Sequence, residues 1–121
     1  MKIEQLNHMA LHVKNLEISI DFYQNVLGLP PIQRPAFNFP GAWFGIGAHE
    51  ELHLIEGREE TMHFKSRGTH FALRVASIAE TEAYLNEKDV PYQPLQQRPD
   101  GAWQIYVTDP DGYSIELCEL V

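Results

Sequence analysis

The sequence contains two imperfect copies of one segment, and this duplication limits the folds available to it. Residues 7–13 (NHMALHV) align with residues 69–75 (THFALRV), so that His, Ala, Leu and Val coincide in order. The triplet Gly-Ala-Trp at 41–43 recurs at 101–103, and residues 52–56 (LHLIE) align with residues 115–119 (IELCE). Matches that recur in one order at a nearly constant offset indicate a repeated module. We predict a single domain with one module at about 1–56, a linker at 57–67 and a second module at about 68–121.

Both modules show the same change in periodicity. Residues 6–13 and 71–75 alternate between apolar and polar positions, as half-buried strands do. A helix follows in each module. In the first module Asn15 caps its start and Gly28 ends it. In the second module Ser77 caps its start and the helix runs to about Lys88. Three short extended runs come next, and residues 109–112 (DPDG) predict a turn between the last two. The predicted class is α+β, with two paired βαβββ modules that form a curved mixed sheet around a concave metal and substrate site.

The composition narrows the classes of partner. Lys and Arg number 9 against 17 Asp and Glu, a formal net charge of −8. An acidic chain repels phosphates, which argues against nucleic acid and anionic membranes, and no apolar stretch reaches the ~20 residues of a membrane span. One cysteine cannot build a disulfide framework, which is typical of a reducing compartment. We expect a cytoplasmic protein with a small-molecule substrate and with neither a nucleic-acid nor a membrane partner.

Strand alternation places four side chains that can bind a metal on the sheet face opposite the helices. The apolar residues of each first strand face the helix, so His8 and His70 lie on the opposite face. The repeat makes His53 and Glu116 equivalent positions on the last strands, again on that face. Three imidazoles and one carboxylate suit a borderline divalent metal. The carboxylate of Glu116, between two apolar neighbours, also costs desolvation free energy unless it is paired or bound to a metal.

Several other residues that could carry a function have structural interpretations that fit at least as well. Cys118 has no activating base apart from the candidate ligands, so nucleophilic catalysis is not expected. Trp43 and Trp103 fit packing and a substrate-pocket wall equally well. The remaining histidines are expected to be ordinary surface or core residues: His12, His49 and His63.

These segments resemble the vicinal oxygen chelate superfamily, which includes glyoxalase I, extradiol dioxygenases, fosfomycin-resistance thiol transferases and bleomycin-binding proteins. The resemblance spans nearly the whole chain and is carried by residues 6–13 (LNHMALHV), 19–29 (SIDFYQNVLGL), 69–73 (THFAL) and 109–117 (DPDGYSIEL). It implies that His8, His70 and Glu116 bind a divalent metal, which would be Zn, Ni, Mn or Fe. Glyoxalase I adds a fourth ligand, usually glutamate, at the position of His53.

The resemblance also implies catalytic roles and an assembly. Tyr106 matches a tyrosine that contacts substrate or metal-bound oxygen, and Glu116 would shuttle a proton between neighbouring carbons. Ala10 stands where fosfomycin enzymes carry a threonine, and His12 stands where many glyoxalases carry an arginine that binds glutathione. Family members of this length usually form homodimers, and the site can lie within one chain or at the subunit interface.

Three functions stay open. The favoured one is a metal-dependent glyoxalase I-like enzyme, a lyase or isomerase that chelates a small oxygenated metabolite through two oxygens. The second is an extradiol-type iron dioxygenase, in which His8, His70 and Glu116 would form the facial triad. The third is a thiol transferase or a metal-free protein that binds a small molecule such as an antibiotic. Its aromatic walls would come from Phe37, Phe39, Trp43, Phe44 and Trp103.

Overall fold

The structure is a computed structural model that describes residues 1–61 and 67–121. The chain divides into two compact units, Met1–Glu60 and Thr61–Val121. Part of the predicted linker, residues 62–66, lies outside the described residues, as does His63. The linker bounds and the single-domain organisation therefore stay predictions.

Each unit has one helix and four strands in the predicted order. The first unit contains β1 (His8–Val13), α1 (Leu16–Asp21), β2 (Pro31–Ile32), β3 (Gly41–Ile46) and β4 (Glu50–Glu56). The second contains β5 (His70–Arg74), α2 (Ile78–Glu87), β6 (Gln96–Gln97), β7 (Trp103–Thr108) and β8 (Ser114–Glu119). The prediction of an α+β protein with two βαβββ modules is confirmed.

The two sheets repeat one strand order. They run β1-β4-β3-β2 in the first unit and β5-β8-β7-β6 in the second. In each, the first and last strands of the unit pair in parallel, and the remaining neighbours are antiparallel. Ala10 faces His53 across the first parallel pair, and Ala72 faces Glu116 across the second. The equivalence of His53 and Glu116 inferred from sequence therefore holds in the strand register.

The predicted helix caps are present. Ile18 N donates to Asn15 Oδ1 at 3.1 Å, and Glu80 N donates to Ser77 Oγ at 3.2 Å. Gly28 has a φ of +73°, which a glycine adopts without strain after a helix. The first helix departs from the prediction of one regular helix, because a π-helical segment, Phe22–Val26, continues α1.

A carboxylate from the last strand of each unit binds the first turn of the helix. Leu16 N donates to Glu56 Oε2 at 2.8 Å, and Ile78 N donates to Glu119 Oε2 at 2.6 Å. Glu56 and Glu119 align in the repeat, so the same contact occurs twice. Each carboxylate satisfies an N–H that has no partner within the helix and lies at the positive end of the helix dipole. This contact was not predicted from the sequence.

Each unit has its own apolar core between helix and sheet. Alternation is clearest on β1, where Leu11 and Val13 are buried and His12 is exposed. The largest fully buried side chains are Tyr23, Phe44, Leu52 and Leu54 in the first unit, and Leu85, Ile105 and Ile115 in the second. Neither of the helices in the described ranges has the length and apolarity to span a bilayer.

The strand register corrects one match of the repeat. Trp43 faces His53 across β3 and β4, and Tyr106 faces Glu116 across β7 and β8. Tyr106, not Trp103, is therefore the counterpart of Trp43. The second Gly-Ala-Trp triplet falls three positions too early because the lengths of the two β2–β3 and β6–β7 connections differ.

Candidate metal centre and adjoining cavity

In the first unit, the sheet brings His8 and His53 into contact. Ala10 pairs with His53 across β1 and β4, and His8 lies two residues before Ala10 on the same face. The two imidazole rings stack with centroids 4.1 Å apart and an interplanar angle of 16°. The His53 ring also stacks on Trp43, with centroids 3.9 Å apart. Because β4 lies between β1 and β3, His53 is enclosed between these neighbours and is only 8% exposed.

Both histidines of the first unit have a second hydrogen-bond partner. His8 Nδ1 donates to Asn7 Oδ1 at 2.8 Å, which leaves the Nε2 lone pair for a ligand. His53 Nε2 donates to Glu51 Oε2 at 2.7 Å, which leaves the Nδ1 lone pair. Stacked rings direct their in-plane lone pairs side by side, so the two imidazoles can share one metal only if one of them turns.

The second unit brings His70 and Glu116 together. His70 Nδ1 donates to the Gly68 carbonyl at 2.9 Å, so the Nε2 atom carries the lone pair. That Nε2 lies 3.1 Å from Glu116 Oε2. The Glu116 side chain is 6% exposed and that of His70 is 26% exposed. A buried carboxylate and an imidazole lone pair at this separation need a cation between them, either a proton or a metal ion.

Tyr106 and Arg98 complete the surroundings of Glu116. The Tyr106 hydroxyl donates to Oε2 at 3.3 Å, and Arg98 Nη1 lies 3.5 Å from Oε1. Burial, followed by the negative charge of Glu116, raises the pKa of Tyr106, so the hydroxyl keeps its proton at neutral pH. Arg98 is itself held by Asp100, whose pKa is lowered first by the Ala102 N–H and then by Arg98.

The four predicted ligands therefore occur as two contacting pairs, each inside one unit. Within residues 1–61 and 67–121, no three His, Cys, Asp or Glu side chains form a group that could hold a metal ion. The Tyr106 hydroxyl contacts Glu116, and the expected contact of Tyr106 with substrate or metal-bound oxygen stays a prediction. Cys118 is 5% exposed, and burial raises the pKa of its thiol, in agreement with the expectation that it is not a nucleophile.

The donor atoms fit a divalent transition metal. Metal-binding histidines usually donate their other ring N–H to a carboxylate, carbonyl or amide oxygen, and His8, His53 and His70 all do so. His70 Nε2 and Glu116 Oε2, which lie 3.1 Å apart, are an imidazole nitrogen and a carboxylate oxygen, and zinc and similar metals accept both as ligands.

A cavity of about 420 Å³ adjoins the histidine pair of the first unit. Phe37, Phe39 and Trp43 line it, as expected for a ligand pocket with aromatic walls. Two other residues that were expected in the walls do not line this cavity. Phe44 is 1% exposed and belongs to the core, and Trp103 alternates with Tyr106 onto the opposite face of β7. The remaining lining residues are Asn7, His8, Arg34, Glu51, His53 and Ile55.

The roles of several residues of this region were not predicted from the sequence. Alternation places Glu51 on the same face as His53, two positions later on the strand, but it does not predict the hydrogen bond between them. Arg34 and Arg98 lie between strands, where periodicity carries no information about direction. Their positions depend on contacts distant in sequence.

The chain belongs to the Glyoxalase/Bleomycin resistance protein/Dioxygenase superfamily, whose family model matches residues 5–117. This confirms the resemblance found in the sequence. The chain is 32% identical to glyoxylase I 4 of Arabidopsis thaliana, over 98% of this chain and 72% of that protein. It is 31% identical to lactoylglutathione lyase of Salmonella typhimurium, over 95% of this chain and 92% of that protein. A glyoxalase family protein from Bacillus anthracis has a similar solved structure, with a TM-score of 0.86, 25% identity and coverage of 100% and 98% of the two chains.

Proposed function

We propose that the protein is a metal-dependent glyoxalase I-like enzyme, a lyase or isomerase that chelates a small oxygenated metabolite through two oxygens. The observation that carries this proposal is the hydrogen bonding of the candidate ligands. Each of the three histidines donates one ring N–H to a neighbouring oxygen, as metal-binding histidines usually do. Relatives named glyoxylase I and lactoylglutathione lyase support the same class of reaction.

The proposed ligands are His8, His53, His70 and Glu116, and the metal is Zn, Ni, Mn or Fe. His8 and His70 would bind through Nε2, and His53 would bind through Nδ1 as a weaker fourth ligand because Glu51 holds its Nε2. When bound, the metal would act as a Lewis acid that stabilises negative charge on substrate oxygens. Each unit holds two of the four proposed ligands, His8 with His53 in the first and His70 with Glu116 in the second.

The reaction steps assigned to this chain are proton transfers and positioning. Glu116 would accept a proton from the substrate carbon beside a carbonyl and return it to the neighbouring carbon. The protonated Tyr106 hydroxyl would orient the carboxylate through Oε2 or donate to a substrate oxygen. Arg98 would hold Oε1, so that one carboxylate oxygen is fixed while the other exchanges its proton.

Turnover of a hemithioacetal tests this proposal. The metal-supplemented protein is mixed with methylglyoxal and a thiol, first glutathione and then other small thiols, and thioester formation is followed by absorbance. We expect turnover that falls at least ~100-fold in Glu116→Gln, because the variant lacks the base. The exposed Glu59→Gln is the matched control and should keep full activity. Undiminished turnover in Glu116→Gln would contradict the assigned role.

A second candidate is the iron dioxygenase. The contact of His70 with Glu116, beside Tyr106, favours it because a histidine and a carboxylate are two of the three facial ligands of such iron sites. Oxygen uptake with catechols in the iron-loaded protein, without turnover of hemithioacetals, would replace the first proposal by this one. Under both proposals we predict that the protein forms a homodimer and is located in the cytoplasm.

A further inference from the structure

We propose that the cavity of the first unit binds a small molecule whose carboxylate pairs with Arg34 and whose planar apolar part packs against the aromatic walls. The ligand class is a small organic acid that carries its reacting oxygens at the end away from Arg34. The identification of this ligand as a substrate rests on the proposed function, whereas its binding does not.

The guanidinium of Arg34 is held in place. Its Cζ atom lies 4.9 Å from the ring centroids of both Phe37 and Phe39, and Nη2 donates to the Phe39 carbonyl at 2.8 Å. Gly41 leaves room for the Leu54 carbonyl and for this guanidinium, since a Cβ at that position would lie 2.5 Å from Leu54 O and 2.9 Å from Arg34 Nη2. A cation fixed by such contacts loses little conformational freedom when it binds an anion.

In the described part of the chain, this guanidinium has no carboxylate as a partner. Among residues 1–61 and 67–121, no Asp or Glu forms an ion pair with Arg34, although the chain carries 17 of them. The carboxylate that shares the cavity, Glu51, is bound to His53. A guanidinium has five N–H donors, and the bond from Nη2 to the Phe39 carbonyl leaves a bidentate face for a ligand anion.

An aromatic wall leads from Arg34 to the candidate metal ligands. Phe37 contacts Trp43 at a centroid distance of 6.0 Å, Trp43 stacks on His53 at 3.9 Å, and His53 stacks on His8 at 4.1 Å. A planar ligand anchored at Arg34 can therefore lie along the edges of these stacked rings and present oxygens near His8. A volume of about 420 Å³ is within the range of small-molecule pockets.

The test compares an acid with its neutral isostere. The probes are 3-phenylpropionate and 3-phenylpropionamide, titrated into the full-length protein as purified and again after removal of metal with a chelator. A Trp103→Phe background leaves Trp43, on the cavity wall, as the fluorescent reporter. We expect the acid to bind at least ~10-fold more tightly than the amide in both preparations, because only the acid forms charge-assisted bonds with Arg34.

Variants then assign this preference to one side chain. Arg34→Gln should abolish it, and Arg34→Lys should keep part of it. Lys88→Gln, which removes one positive charge outside the cavity, should leave it unchanged. Equal affinities for acid and amide in the parent protein, no saturable binding of the acid, or a preference that survives in Arg34→Gln would each overturn the proposal. Because the preference is measured without metal, it stands or falls independently of the metal-dependent reaction.

Discussion

Nε2 of His70 lies 3.1 Å from Oε2 of Glu116, although the two residues are 46 positions apart in the chain. The parallel pairing of β5 and β8 produces this contact, since Ala72 faces Glu116 and His70 lies two residues earlier. The same register in the first unit produces the stack of His8 on His53. The two contacts differ in chemistry, because only the second unit joins a lone-pair nitrogen to a carboxylate. Predictions about metal affinity follow from this difference.

Removal of His70 should reduce metal affinity more than removal of His53. His70→Ala should lower the affinity by about 100-fold or more, because it removes the nitrogen that faces Glu116, the other proposed ligand of the second unit. His53→Ala should lower it by less than about 10-fold, since its ring must turn before it binds. Competition with a fluorescent zinc chelator measures both affinities. His49→Ala, in the turn between β3 and β4, is the control.

Two outcomes would change the ligand assignment. Equal losses in His53→Ala and His70→Ala would make His53 a full ligand. An affinity that is unchanged in His70→Ala would show that the site has been assigned wrongly.

Loss of a helix-capping carboxylate should destabilise the protein. Glu56→Ala and Glu119→Ala should each lower the free energy of unfolding by about 1 kcal/mol, because an N–H of the first helical turn loses its acceptor. Urea denaturation followed by circular dichroism measures the change. Glu119→Gln should cost less than Glu119→Ala, since the amide oxygen still accepts the bond. Unaltered stability in both alanine variants would show that water replaces the carboxylates without cost.

Removal of the Tyr106 hydroxyl should separate catalysis from metal binding. Tyr106→Phe should keep its metal and lose at least about 10-fold in kcat, because a hydrogen-bond donor to Glu116 is gone. Tyr84→Phe, on an exposed part of α2, should match the parent protein. Metal analysis together with hemithioacetal turnover provides both readouts. A Tyr106→Phe protein with full kcat would exclude Tyr106 from the reaction.

The thiol of Cys118 should react slowly in the folded protein. Burial, followed by the charge of Glu116, raises its pKa, so little thiolate forms near pH 8 and the rate should rise as the pH increases further. Ellman's reagent reports the rate in the native protein and in protein unfolded by urea, which serves as the fast reference. Equal rates in the two states would mean that Cys118 is accessible.

Local signals in the sequence predicted much of the fold. Strand alternation set the faces of β1 and β5, and the side chains of Asn15 and Ser77 marked the helix starts by a mechanism that needs no tertiary contact. The duplication supplied the long-range information. The duplication predicted that His53 and Glu116 are equivalent, because two copies of one module pair their strands in the same way.

The parts that could not be predicted depend on tertiary contacts or on connection lengths. The second Gly-Ala-Trp triplet was misleading because the connection before β7 differs in length from the one before β3. Alternation on β3 separates Phe44 from Trp43, but only the pairing with β4 and the burial show that Phe44 faces the core and Trp43 faces the cavity. The position of Arg34 arises from three separate contacts, none of which has a sequence pattern.

Elemental analysis of protein purified without chelator or metal-affinity tag tests the central claim most directly. The parent protein should contain one divalent metal ion per complete site, and His8→Ala should lose it while keeping its fold by circular dichroism. Zinc, nickel or manganese would agree with the proposed lyase or isomerase, and iron would favour the dioxygenase. A parent protein that binds no divalent metal, even after Zn, Ni, Mn or Fe is added back, would contradict the account and leave a small-molecule binding protein in its place.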